Sequence, residues 1–193
     1  MAGVLPAGHG HSQAPLTWQA GAHTLLGMTP EQANFLLNDI YLPQIRNEHA
    51  TTRRVIAAIP ADQADYRPSP KCMSSMELAW HLVSSEQFFM AGLLAGKYEP
   101  GGGARPDSVK TPADALAWDD ANFEATVSKL GGMAPADLIK SIDFFGFMSF
   151  PGIMYLGMMC SHSVHHRGQL SSYLRPMGAK VPRIYGPSGD EPM

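Results

Sequence analysis

Two stretches of this chain carry the same local grammar, and together they dictate helices. In Thr29-Pro30-Glu31-Gln32 and in Thr111-Pro112 with Asp114, a threonine stands directly before a proline and three positions ahead of a side chain that can reach back to it. The hydroxyl accepts from an otherwise unpaired N–H of the first turn, and proline at the first helical position gives up a donor that has no partner there anyway. Ser74 or Ser75 can cap a further helix, and Pro151 is placed to open another. The stops are equally local: Pro60, the pair Pro68 and Pro70, Gly96, the run Pro100 to Gly103, Gly131-Gly132 and Gly178. Between these breaks apolar residues recur every three or four positions, as in Phe35, Leu36, Ile40 and Ile45, or Leu78, Leu82, Phe89 and Leu93. That spacing lays one apolar stripe along each helix.

The resulting expectation is an all-α, four-helix bundle. Pro43 falls inside the first segment, so a kink or break is expected there. The stretch from Ile139 to Phe150 is short, aromatic and interrupted by glycine, which suits a small hairpin or an irregular connection between the third and fourth helices. The domain reading is a non-periodic N-terminal extension over residues 1–28, a bundle over 29–188 and a C-terminal tail over 189–193.

Composition narrows the classes of partner. Charged residues make up 16% of the 193, against about 25% in an ordinary soluble chain, which argues for a sizeable core. The net charge of −3 is not concentrated in basic runs, so nucleic acid is not an expected partner. No stretch approaches the ~18 apolar residues a membrane-spanning helix needs, and the N-terminus lacks a signal-peptide pattern. With two cysteines, Cys72 and Cys160, neither a disulfide scaffold nor a four-cysteine zinc site can form within the chain. A cytoplasmic location is the expectation.

The chemistry lies in Ser161-His162-Ser163-Val164-His165-His166-Arg167-Gly168-Gln169. At 100° per residue His162 and His166 lie roughly 40° apart and one turn along, so both imidazoles can reach one point. Their face continues through Tyr155, Met159, Leu170, Tyr173 and Met177, which directs them inward. His165 falls on a flanking face. Two imidazoles buried side by side without a carboxylate leave nitrogens unsatisfied unless something binds them. A metal site needs a further ligand from another helix, and His81, beside Leu78 and Leu82, is the natural candidate. Cys160 points about 160° away from His162, and Cys72 precedes the second helix. Three neutral imidazoles suit Zn²⁺ or Ni²⁺ with open positions. The first histidine is followed by Ser163, not by the glutamate of a zincin protease. Tyr173, Gln169, Glu48 and His49 are candidate orienting residues, and no catalytic base is fixed by the pattern. His9, His11 and His23 are read as solvated.

These residues resemble the DinB/YfiT family of metal-dependent bundle proteins. The resemblance is carried by Arg67-Pro68-Ser69-Pro70-Lys71, Glu77-Leu78-Ala79-Trp80-His81, the motif His162 to Leu170, Tyr173-Leu174-Arg175 and the closing Val181 to Ser188. It implies a bundle with a long crossover, a three-histidine metal site at His81, His162 and His166, and frequent homodimers. It further implies a transferase acting with a low-molecular-weight thiol on a small electrophile. A metal-dependent hydrolase, or a non-catalytic dimer with a structural or sensing metal, are the alternatives.

Overall fold

The computed structural model describes residues 27–101 and 103–192. Most of the expected N-terminal extension, with His9, His11 and His23, lies outside the described residues. Helices α1 (Pro30–Phe35) and α2 (Leu42–Ala57) are joined by a π-helical turn, Leu36–Tyr41, and α3 spans Ser75–Ala95. Helix α4 (Pro112–Gly131) is followed by a short α5 (Pro135–Leu138), a hairpin of β1 (Ser141–Phe144) and β2 (Met148–Pro151), and α6 (Met154–Leu174). No helix among the described residues is long and apolar enough to cross a membrane.

All three cap signals are realised. Thr29 Oγ1 accepts from the Gln32 N–H at 3.3 Å while Gln32 Oε1 accepts from the Thr29 N–H at 2.9 Å. Thr111 and Asp114 make the same reciprocal pair at α4, and Ser74 and Glu77 make it at α3. Gly96 closes α3 in the left-handed conformation at φ 67°, where a Cβ would be strained.

Pro43 does not break the first helix. It cannot donate to the carbonyl four residues back, and the turn before it widens so that the Leu42 N–H donates to the Leu37 carbonyl, five residues back. One π turn thus absorbs the missing donor and the steric conflict. Pro151 also differs from the expectation that it opens the last helix. It ends β2, and the next two amides are committed backwards, Gly152 N–H to the Lys140 carbonyl and Ile153 N–H to the Leu138 carbonyl, both at 2.9 Å. Helix α6 therefore starts only at Met154.

In the bundle, α3 packs against α4 and α6, and α2 packs against the same two, so α2 and α3 occupy opposite corners although they are consecutive. The core divides along its length. One apolar half gathers Leu37, Ile45, Met90, Leu93, Leu130 and Leu156; the other gathers Ile56, Leu78, Leu82, Leu170 and Leu174. Between them each of the four long helices supplies buried polar groups: His49 and Thr52 from α2, Ser84, Ser85 and Glu86 from α3, Asp119 from α4, Ser163 and Arg167 from α6. Buried polar groups are costly unless paired, so each of these needs a partner.

Candidate metal centre

His162 and His166 come one turn apart from α6, and His81 faces them from α3. The Nε2 atoms of His81 and His162 are 3.0 Å apart. Ring centroids lie 4.4 Å apart for His81 with His166 and for His162 with His166, and 4.8 Å for His81 with His162. One ligand nitrogen from each ring falls within 4.8 Å of the other two. His81, the candidate from the second long helix expected in the sequence, thus faces the face of α6 that carries His162 and His166.

The rings are half-buried, and burial is the main force on their titration. It lowers all three pKa values, with His166 and His81 adding charge repulsion that brings His162 down to about 4. Three neutral imidazoles are what a cation requires of its ligands. His166 Nδ1 meets Gln169 Oε1 at 3.1 Å, and Gln169 Nε2 donates to the Tyr173 hydroxyl at 3.2 Å. This leaves Nε2 as the free nitrogen of His166 and fixes its ring, the usual arrangement behind a metal-binding histidine. His162 Nδ1 is buried without a partner. Among the described residues only the His81 ring meets that of His162 in a hydrogen bond, through Nε2. His165 is exposed and only packs edge-on against His166. Cys160 is buried away from the cluster, its thiol pushed up to about 11 by burial and by Glu86 and Glu48.

A pH dependence follows for the metal-free protein. The unfolded chain takes up the His162 proton near pH 6.5, whereas the folded chain resists it down to about 4. Between those values the unfolded state binds more protons, so stability falls as pH falls. The melting temperature of chelator-treated protein should drop between pH 6.5 and 4, and less steeply in His162→Gln. An identical drop in both proteins would contradict this assignment.

Glu48 and His49 have other duties. Arg167, only 1% exposed, donates to the Glu48 carboxylate at 2.6 Å, the Glu48 carbonyl at 3.0 Å and Thr52 Oγ1 at 3.4 Å. It also donates to the hydroxyl of Tyr185, which itself donates to Glu48 Oε2 at 2.8 Å. His49 is sandwiched between carboxylates, Nδ1 at 3.1 Å from Glu86 and Nε2 at 3.3 Å from Asp119, with its ring stacked on Phe123. Burial raises the Asp119 carboxyl to about 6 against the pull of His49 and Arg53. The sequence reading missed both networks. The available signal was a polar residue breaking the apolar stripe at the same height on each helix: His49, Glu86, Asp119 and Arg167.

Comparison with known proteins agrees with this architecture. The DinB family model matches residues 26–192, so the chain belongs to the DinB family. The uncharacterised protein YjoA of Bacillus subtilis (strain 168) is 28% identical over 130 residues, covering 66% of this chain and 82% of YjoA. The crystal structure of that DinB-like protein superposes with a TM-score of 0.62 at 26% identity, over 75% of this chain and 96% of its own. A DinB-like protein from Bacillus cereus ATCC 10987 gives a TM-score of 0.64 at 22% identity, over 75% of this chain and 95% of its own, which speaks for the fold alone.

Proposed function

We propose that His81, His162 and His166 hold a divalent metal ion, zinc or nickel, and that the protein is a metal-dependent transferase joining a low-molecular-weight thiol to a small electrophile. The observation that carries this reading is that the donor set stops at three. Among the described residues no fourth His, Cys, Asp or Glu completes the cluster, and His81 borders an open cleft of about 690 Å³. Structural zinc is typically closed by four protein ligands, whereas catalytic zinc keeps a position free.

A metal held there supplies Lewis acidity, which makes a thiolate available near neutral pH. The protein's part is to keep three imidazoles neutral and aimed inward. Gln169 orients His166, and Tyr173 holds Gln169, so both are positioning residues. Glu48 and His49 are committed to Arg167 and to Glu86 with Asp119, which argues against an orienting role for them at the metal.

The test is turnover by zinc- and nickel-reconstituted protein with a panel of small thiols and electrophiles. Thiol-dependent product formation, lost on chelation and in His81→Ala, is expected. Hydrolysis without any thiol would replace the transferase by a hydrolase. No turnover from fully loaded protein across the panel would count against an enzyme.

A further inference from the structure

We propose that the cleft bordered by His81 selects negatively charged small molecules, with Arg105 and Lys71 on its rim holding a carboxylate or similar anion while Trp80, Phe88 and Met73 take an apolar body. That the other end of such a ligand reaches the histidines rests on the metal-site reading; the charge selection does not.

The cleft, about 690 Å³, lies within the usual range for small-molecule sites. Its inner side is formed by His81, Ser84 and Ser85 on one face of α3. Two contacts build its rim. Trp80 Nε1 donates to the Gly103 carbonyl at 2.8 Å, which pins the α3–α4 connection over the cleft and brings Arg105 to its edge. On the other side Arg67 bridges the Cys72 carbonyl at 3.5 Å and the Glu77 carboxylate at 3.4 Å, setting the segment that carries Lys71.

The charges there do not cancel. Glu77 is the one acid among the described residues lining the cleft, and its carboxylate already accepts from the Ser74 N–H at 2.6 Å and pairs with Arg67. Neither Lys71 nor Arg105 forms an ion pair among the described residues. Glu77 feels Arg105 as well as Arg67, but two cations without an ion-pair partner face that single carboxylate, so a chain of net charge −3 presents a net positive mouth to a cleft with aromatic walls, and low-dielectric walls focus such a field on an entering anion. An aryl or alkyl carboxylate matches this combination, with its charge at the rim and its body against Trp80 and Phe88.

The experiment compares phenylacetate with phenylacetamide, equal in shape and different in charge, by NMR titration of the full-length protein both as purified and after chelation. The acid should bind about tenfold more tightly than the amide, as expected for a charge-assisted contact, and the preference should weaken with salt. In the double variant Lys71→Gln/Arg105→Gln the preference should vanish while melting temperature and metal content stay at wild-type values. Equal binding of acid and amide by wild type, no binding of either at millimolar concentration, or a preference that survives in the double variant would overturn the proposal. Failure of the metal reading appears separately, as protein that takes up no divalent metal when supplied in excess, whichever of the two ligands it prefers.

Discussion

Replacing Arg167 by methionine should lower the free energy of unfolding by about 3–5 kcal/mol, the range for removing one member of a buried ion pair. The guanidinium is almost wholly enclosed, and its partners belong to two other parts of the fold: Glu48 and Thr52 on α2, and Tyr185 in the C-terminal segment. Methionine fills much of the volume but leaves the Glu48 carboxylate, 15% exposed, without its cation. Lysine should rescue little, because one ammonium cannot serve the carboxylate, the carbonyl and the phenol in the planar geometry that a guanidinium provides. Urea unfolding of Arg167→Met and of Arg167→Met/Glu48→Leu checks the origin of the effect. The double variant should be more stable than the sum of its parts, since no lone charge remains buried. A loss below about 1 kcal/mol, typical of exposed pairs, would mean that water reaches the pair and that it does not clamp α6 to α2.

The second large effect belongs to the ligand shell. His166→Ala removes one of three convergent nitrogens and should reduce zinc affinity by more than a hundredfold. Gln169→Ala leaves the ligands in place and frees the His166 ring, and the expected loss is about 10–100-fold, the range found for groups that orient a ligand. Gln169→Glu should retain most of the affinity, because a carboxylate accepts the same Nδ1 proton. His165→Ala serves as the control, since that ring is exposed and touches His166 only by its edge. Competition against a zinc-binding dye reads all four. Unchanged affinity in His166→Ala would remove that residue from the donor set, and an effect of His165→Ala equal to that of Gln169→Ala would assign the orienting role wrongly.

Much of this was legible before any coordinates, because the signals are local. A threonine, a proline and a Gln or Asp three residues on settle a helix start within one turn, and α1 and α4 begin at those signals. The i, i+4 spacing of His162 and His166 fixes their shared face by geometry alone. What the sequence could not convey is compensation over distance. Whether Pro43 breaks its helix depends on whether the previous turn can widen, and the amides that delay α6 past Pro151 are taken by carbonyls of a segment more than ten residues earlier. The buried charges were hidden for the same reason. Glu48 and His49 read as candidate orienting residues, and nothing local to Arg167 names its partners; each finds its partner on another helix once α2 and α6 pack together with α3 and α4.

The measurement that bears most directly on the account is the metal content of protein purified without a nickel column, for wild type and for His162→Ala. The convergence of three neutral imidazoles predicts stoichiometric zinc or nickel in wild type and little or none in the variant. Stoichiometric metal in both, or wild-type protein that takes up no divalent metal even when supplied in excess, would contradict it.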